Sequence, residues 1–175
     1  MFQTSRLILR RWQDEDRVHF AKMNADPCVM RYFPSVLAEA ESNNLIDKIE
    51  AGFEKHGYGL WCAHHIEADR CIGFVGLAYQ DDDLSFMPCT EIGWRLDADF
   101  HRQGLAFEAA EVVRDAAFEQ YGLDEIVSMT ARLNIPSQGL MDKIGMTRDP
   151  QDDFQHIRLP TDHELSWHVL YRLAR

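Results

Sequence analysis

The sequence predicts an α/β protein in which a central mixed sheet is flanked by helices on both faces. Short strand patterns alternate with longer helical patterns along the whole chain. Hydrophobic residues make up 46% of the chain and charged residues 27%, as in ordinary globular proteins. We expect a single domain over 1–175, because no linker, repeat or low-complexity segment divides the 175 residues.

The first half of the chain is predicted to form four strands and two helices. The strand patterns cover 6–12, 60–66, 71–79 and 90–96, and the helical patterns cover 15–25 and 37–55. Asp14 is the expected N-cap of the first helix, and Pro27 ends that helix. His56-Gly57 is expected to end the second helix.

The second half begins with the longest helical pattern, from Gly104 to Tyr121, which carries an apolar stripe rich in alanine. Gly122 is the expected stop of this helix. The remaining patterns are a strand, a short helix and a closing strand, over 125–131, 135–144 and 162–173. The predicted order of elements is β-α-α-β-β-β-α-β-α-β-β, in which one strand between the short helix and the closing strand has no assigned range.

The formal net charge is −11, from 29 acidic and 18 basic residues. This charge repels the phosphates of nucleic acids and of anionic lipids, and it favours a cationic or amine-bearing partner. Solubility alone also explains the acidity. No apolar run approaches the roughly 18 residues of a membrane span, and the N-terminus has no apolar signal core. We therefore expect a cytoplasmic protein with no membrane or nucleic-acid partner.

No metal site is predicted from the cysteine and histidine spacing. The four cysteines are Cys28, Cys62, Cys71 and Cys89. They form no CxxC pair and show no zinc-ligand spacing. The adjacent His64 and His65 would point to opposite faces of a strand, so they could not bind one metal ion together.

The most informative stretch is the loop that joins the fourth predicted strand to the longest helix. Arg102 and Gln103 precede a Gly104-Leu105-Ala106 step there. The first N–H groups of a helix are unpaired, and the helix dipole places partial positive charge beside them. Gly104 allows close approach of a ligand, Ala106 adds little bulk, and Arg102 adds charge, so this loop can hold a pyrophosphate. Many helix starts of this kind are only caps, so the pattern by itself is weak evidence.

A second segment, from Asn134 to Gly145, is typical of a short capped helix. Asn134 precedes the helix, Pro136 suits its first turn, and Gly145 ends it. Capping does not explain why Ser137 occupies its position.

Together, in this order, the two segments resemble the GNAT superfamily of N-acetyltransferases. His101-x-x-Gly104-x-Ala106 is similar to the Gln/Arg-x-x-Gly-x-Gly/Ala signature, from which it departs at His101. Asn134-x-x-Ser137 resembles the Asn-x-x-Ser segment of the superfamily.

Further segments resemble one branch of that superfamily, the RimJ/RimL-like ribosomal-protein N-acetyltransferases. The opening from Thr4 to Arg10 is similar to the Thr-x-Arg-Leu-x-Leu-Arg opening of the branch. The segments 26–32 and 91–94 match it as well. The likeness extends from about Thr4 to Leu173.

The resemblance implies an enzyme that moves the acetyl group of acetyl-CoA to a primary amine by direct attack in a ternary complex. The implied acceptor is the N-terminal amine of a protein or peptide, or a small-molecule amine. A GNAT fold that binds acetyl-CoA as a silent or sensory module is the alternative. Whether the chain forms a homodimer is left open by the sequence.

The resemblance also implies where acetyl-CoA binds, because in GNAT enzymes it enters where the fourth and fifth strands splay apart. The pantetheine arm would pair with the backbone around Trp94 and Leu96. The pyrophosphate would lie on the N–H groups from Arg102 to Ala106, and Asn134 would contact the cofactor arm.

Glu91 and Ser137 are the implied catalytic residues. Glu91 lies on the strand that would line the cleft and is the expected base, although it could equally be an exposed or ion-paired strand residue. Met141 occupies the position of the tyrosine that protonates the thiolate in many GNAT enzymes, and Ser137 is the nearest alternative donor. His168 and Tyr171 could reach the acceptor or be packed strand residues.

Overall fold

The computed structural model describes all 175 residues and contains nine strands and four α-helices. The strands are β1 (Phe2–Gln3), β2 (Leu7–Arg10), β3 (Leu60–His65), β4 (Arg70–Gln80), β5 (Cys89–Leu96), β6 (Glu125–Ala131), β7 (Thr147–Arg148), β8 (Phe154–Gln155) and β9 (Trp167–Ala174). The helices are α1 (Asp16–Asn24), α2 (Glu39–His56), α3 (Leu105–Glu119) and α4 (Ile135–Lys143). None of these helices has the length and apolar character that a membrane crossing requires.

All nine strands join one sheet, in the order β1-β2-β3-β4-β5-β6-β9-β7, and β8 also pairs with β9. The pairing of β5 with β6 is parallel, and every other pairing is antiparallel. The mixed sheet predicted from the sequence is therefore confirmed. Parallel neighbours need a crossover connection, and α3 supplies it between β5 and β6.

Helices cover both faces of the sheet, as predicted. On β5, Arg95 Nη1 donates to Asn24 Oδ1 of α1 at 2.8 Å. The neighbouring Trp94 Nε1 donates to Ser137 Oγ of α4 at 3.1 Å. Consecutive residues of a strand point to opposite faces, so α1 and α4 lie on opposite sides of the sheet.

The order of elements follows the prediction, with β1 and one further short strand after α4 added. Strands of two residues are too short to show the alternation on which the prediction relies. The closing strand begins at Trp167 rather than near 162. Turns precede it: His163 N–H donates to Pro160 O at 3.0 Å, and Ser166 N–H donates to His163 O at 2.8 Å.

The expected N-cap of α1 is wrong. The helix begins at Asp16, and Asp14 pairs with Arg17 at 3.3 Å instead of capping a backbone N–H. The carboxylate of Asp16 accepts the N–H of Gln13 at 2.8 Å and bonds from the two Nη atoms of Arg10 at 2.6 and 2.9 Å. This ion pair forms because Arg10, the last residue of β2, reaches back to Asp16 across the turn that joins β2 to α1.

One strand pair in the middle of the sheet is barely joined. β4 and β5 stay in register along the whole of β5, but β5 and β6 pair only at Glu91 and Val127. The two strands separate beyond that point. The rest of β5, up to Leu96, therefore has no sheet partner on the β6 side and resembles a free sheet edge.

Candidate active site

The separation of β5 and β6 opens into a cleft of about 1340 Å³, which is ample for a cofactor-sized ligand. Its walls are these two strands, the N-terminal ends of α3 and α4, and loops that follow α1, β4 and β8. Residues of the loop before α3 line it, together with a more polar group made up of Arg31, Tyr32, Gln80, Asp82, His156, Arg158 and His168.

Glu91 lines this cleft at the point where the two strands part. Its side chain is half-buried, and Oε2 accepts a hydrogen bond from Gln80 Nε2 at 2.8 Å. Burial raises the pKa of Glu91 to about 7, although the bond from Gln80 opposes the rise. The carboxyl group is therefore divided between its neutral and ionised forms near neutral pH, which suits a general base.

The loop between β5 and α3 presents a row of free backbone N–H groups. Arg102 and Gly104 have positive φ angles of 62° and 81°, which turn the chain into the helix. The N–H of Glu108 is the first in this helix with a backbone acceptor, Gly104 O at 3.0 Å. The N–H groups from Arg102 to Phe107 have no acceptor within the chain. They lie at the positive end of the helix dipole, so the loop is suited to bind phosphate.

Arg6 braces this loop against α3. Its Nη1 donates to Gln103 O at 2.9 Å, and its Nε and Nη2 lie 2.8 and 2.6 Å from Glu108 Oε2. Ser5 Oγ donates to Glu108 Oε1 at 2.9 Å. Burial opposes the ionisation of Glu108, but bonds from Thr4, Arg6 and Ser5 lower its pKa to about 2. The N-terminal segment therefore holds the loop before α3 in place through the ionised carboxylate of Glu108. We call residues 102–106 of this loop the phosphate loop, after the ligand that they are suited to bind.

A chain of hydrogen bonds runs from β5 to the start of α4. The Trp94 indole donates to Ser137 Oγ at 3.1 Å, and the N–H of Ser137 donates to Asn134 Oδ1 at 3.3 Å. Asn134 Nδ2 donates to Thr130 Oγ1 at 2.9 Å. Since the hydroxyl of Ser137 accepts the indole bond, its own proton is free to donate. Asn134 caps α4, as the simple capping interpretation predicted.

A family model described as Acetyltransferase (GNAT) domain matches residues 6–147. The match includes the phosphate loop and the segment that opens α4. The chain belongs to the GNAT acetyltransferase family. It is accordingly an acetyl-CoA-dependent N-acetyltransferase.

Three similar proteins are named as acetyltransferases. The uncharacterized N-acetyltransferase YnaD of Bacillus subtilis (strain 168) is 28% identical over 148 residues, which cover 83% of this chain and 82% of YnaD. An acetyltransferase from Agrobacterium tumefaciens has the same fold, with a TM-score of 0.80, 25% identity, and coverage of 99% of this chain and 94% of that chain. RimL, a ribosomal L7/L12 alpha-N-protein acetyltransferase solved with coenzyme A, also has this fold, with a TM-score of 0.78, 12% identity, and coverage of 98% and 95%.

Most of the residues predicted to hold the cofactor in this GNAT chain lie at the cleft. The loop residues that line it are Arg102, Gly104, Leu105 and Ala106. Gln103 does not, because its Nε2 turns back to donate to Asp99 O at 2.8 Å. Its backbone N–H alone remains available to a phosphate.

His101, where the chain departs from the GNAT signature, contacts the end of β5. His101 Nε2 lies 2.8 Å from Leu96 O. This bond occupies a carbonyl that the pantetheine was expected to use. Leu96 lines the cleft but is only 5% exposed, so Trp94 is the more accessible of the two predicted strand residues.

The closing strand places one of its two candidate residues in the cleft. His168 lines the cleft beside His156, with 4.8 Å between the ring centroids. Burial lowers the pKa of His168 to about 4, so it is neutral at pH 7. Tyr171 is 6% exposed and does not line the cleft. Met141 lines it with 1% exposure and offers no proton.

Sequence reasoning missed two cleft residues that only the fold identifies. Gln80 binds Glu91 because β4 and β5 run side by side. Arg95 lies between Trp94 and Leu96 on β5 and places a cation in the cleft wall. Neither residue belongs to a local motif, so no signal in the sequence distinguishes it.

Outside the cleft, the fold also brings together a buried group of metal-ligand type that cysteine spacing did not reveal. Ligand atoms of Asp16, Cys62 and Cys71 lie within 4.8 Å of one another. The Asp16 carboxylate is bonded to Arg10 on both oxygens. A hydrogen bond with Cys71 and burial raise the pKa of the Cys62 thiol. The group is therefore the ion pair of Asp16 and Arg10 beside the protonated thiol of Cys62.

Proposed function

We propose that this GNAT protein transfers the acetyl group of acetyl-CoA to a primary amine by direct attack in a ternary complex. The observation that carries the proposal is the position of Glu91, a carboxyl with a pKa of about 7 where β5 and β6 part. Attack requires a neutral amine, and a base whose pKa is near ambient pH can take the ammonium proton. The phosphate loop lines the same cleft.

Acetyl-CoA lies along the free side of β5 in this proposal. The pantetheine arm pairs with the backbone around Trp94, as an added strand does at a sheet edge. The pyrophosphate binds the N–H groups from Arg102 to Ala106. Asn134 contacts the arm through the second lone pair of Oδ1, since capping occupies only one.

The chemistry is divided between two side chains. The amine nitrogen attacks the thioester carbonyl carbon, and Glu91 takes the ammonium proton directly or through water. Collapse of the tetrahedral intermediate breaks the C–S bond and releases a thiolate. Ser137 donates a hydrogen bond to the departing sulfur or holds the water that protonates it, because Met141 has no proton to give.

The acceptor is proposed to be the N-terminal amine of a peptide or protein, in preference to a small free amine. The Thr4–Arg10 opening supports this choice by its likeness to the ribosomal-protein branch. RimL, whose fold is shared, acts on a protein α-amine. The same fold serves enzymes with many different acceptors, so the acceptor has to be identified from the residues of the site and by experiment.

The test is release of coenzyme A thiol from acetyl-CoA across a panel of peptides of increasing length and of small amines. For a protein α-amine, kcat/KM should rise with peptide length beyond the first residue, because remote contacts lower the barrier. A free amine or amino acid that reacts faster than every peptide would refute the acceptor preference. Stabilisation by acetyl-CoA without thiol release for any amine would instead favour a binding module.

A further inference from the structure

Arg95 is a half-buried cation in the cleft wall that pairs with no carboxylate. Its Nη1 donates to Asn24 Oδ1 at 2.8 Å. Its guanidinium carbon lies 4.1 Å from the centre of the Phe33 ring and 5.4 Å from that of Phe74. The Nε atom is buried and has no hydrogen-bond partner. Burial lowers the pKa of Arg95 to about 10, and the group still carries its charge at neutral pH.

This arrangement is unusual, because buried charges in proteins are generally paired with an opposite charge. Contact with the faces of two aromatic rings offsets part of the desolvation cost. An unsatisfied Nε–H remains, and buried donors without a partner are uncommon in native structures. The Nη2 group makes no hydrogen bond within the chain and is not buried, so it has unused capacity for an anion.

Arg95 shares one face of β5 with the proposed base. Glu91, Gly93 and Arg95 are alternate residues of the strand, so their side chains point to the same side. A Cβ atom built on Gly93 would meet no atom within 4 Å. Open space therefore lies between the carboxyl of Glu91 and the guanidinium of Arg95. Their Cα atoms are about 13 Å apart along an extended strand.

The charge of the cleft is opposite to that of the chain. The Lys and Arg residues that line it are Arg31, Arg95, Arg102, Lys143 and Arg158, whereas its acidic residues are Asp82 and Glu91. Arg102 belongs to the phosphate loop. Arg158 is neutralised by Asp82, whose oxygens lie 2.5 and 2.6 Å from its Nη2. Arg95 and the exposed Arg31 and Lys143 are therefore cations of the cleft with no carboxylate partner.

We propose that Arg95 recognises a carboxylate on the acceptor, placed a few bonds from the amine that Glu91 deprotonates. This inference rests on the proposed acetyl transfer and narrows its substrate class. It also adds an anionic group to the cationic or amine-bearing partner that the net charge of −11 favours. The carboxylate could come from an acidic side chain of a peptide or from the free carboxylate of an amino acid or short peptide.

A purely structural role for Arg95 makes a different prediction. Its bond to Asn24 and its contact with Phe33 also hold the segment after α1 against β5. Loss of that support would lower activity on every acceptor by a similar factor. Recognition of an anion would instead change the ratio of activities between charged and neutral acceptors.

The experiment compares kcat/KM for two matched pairs of acceptors. One pair is alanyl-glutamyl-alanine amide and alanyl-glutaminyl-alanine amide, and the other is alanyl-alanine and alanyl-alanine amide. In the natural protein, the carboxylate member of at least one pair should react about tenfold faster or more, as a charge-assisted hydrogen bond allows. In Arg95→Met this ratio should fall to within about twofold of unity, and Arg95→Lys should keep part of it.

Arg158→Met is the control, because it removes the same charge from the cleft but from a guanidinium already paired with Asp82. Its ratio should stay within about twofold of that of the natural protein. The proposal is refuted if neither pair shows a preference, or if the preference survives in Arg95→Met. An equal loss on both members of a pair, or a loss of acetyl-CoA affinity alone, would also refute it.

A second measurement does not depend on turnover. Succinate, titrated at constant ionic strength in the presence of coenzyme A, should raise the melting temperature of the natural protein saturably and that of Arg95→Met much less. If succinate binds in this way but no amine is acetylated, acetyl transfer fails and the anion site stands. If amines are acetylated but succinate has the same effect on both proteins, the anion site fails and acetyl transfer stands.

Discussion

Replacement of Glu91 by Gln should lower activity and raise stability, and both effects follow from one half-buried carboxyl group in the cleft. The substitution keeps the shape of the side chain and leaves an oxygen to accept the bond from Gln80, which is 2.8 Å in the natural protein. It removes the ability to take a proton. We expect kcat to fall about 10²-fold or more, the usual contribution of a positioned base. In the natural protein, kcat/KM should rise as the pH increases through about 7, the pKa of Glu91.

The effect on stability has a defined sign. The pKa of Glu91 is about 7 in the folded protein against a model value of 4.5, so the folded state holds the proton more tightly than the unfolded state. The free energy of unfolding of the natural protein therefore falls as the pH rises from about 4.5 to about 7. At about 1.4 kcal/mol per tenfold change in proton affinity, the ionised group costs ~0.8 kcal/mol at pH 5 and ~3 kcal/mol at pH 8.

The assay is urea unfolding of the natural protein and of Glu91→Gln, without ligand, at pH 5 and pH 8. The stability of the variant relative to the natural protein should increase by about 2.5 kcal/mol between these two pH values. Glu119→Gln, at an exposed position at the end of α3, is the control and should differ little from the natural protein at either pH. A difference between Glu91→Gln and the natural protein that does not change with pH would show that Glu91 is not a desolvated carboxyl. Activity within a few-fold of normal would remove it from the mechanism.

Three further predictions concern the cofactor and the leaving group. Ala106→Asp should weaken acetyl-CoA binding by about tenfold or more in calorimetry, because it opposes the phosphates with a like charge; Ala106→Asn, of similar size but uncharged, should weaken it far less. Glu108→Gln should weaken acetyl-CoA binding several-fold with little change in kcat at saturation, because the ionic brace with Arg6 is lost; an unchanged Kd would show that the phosphate loop holds its shape alone. Ser137→Ala should lower kcat by about tenfold with little effect on acetyl-CoA affinity, whereas Ser137→Thr should retain most of the kcat of the natural protein. An unchanged kcat in Ser137→Ala would show that water protonates the thiolate without help from Ser137.

The shape of the loop before α3 could be predicted from the sequence because its requirements are local. A glycine in the left-handed region at 104, a small residue at 106 and the start of a helix are neighbours in the chain. The brace on that loop could not be predicted in the same way. Arg6 and Glu108 are 102 positions apart, and the resemblance marked the opening segment without stating what it touches.

The strand pattern likewise located Glu91 on the fourth predicted strand but left its role divided between a base and an exposed residue. Its half-buried position and its bond to Gln80 argue against a fully exposed residue, and its role as a base stays a proposal. Both depend on the register of β4 with β5 and on the separation of β5 from β6. Asp14 shows the opposite case, because the local capping rule failed there. Asp14 pairs with Arg17, and Asp16 forms the ion pair with Arg10.

The sequence by itself determined the fold class, the family and the glycine-led start of the longest helix, because periodicity and short motifs are carried by residues near each other in the chain. Only the tertiary structure decided the electrostatics of the site. The net charge of −11 predicts a cationic partner for the protein as a whole. The cleft, however, is lined by more cations than anions, and Arg95 has no carboxylate partner there. The energy of a charge depends on its burial and on its distance from other charges, and folding sets both of these independently of the total charge.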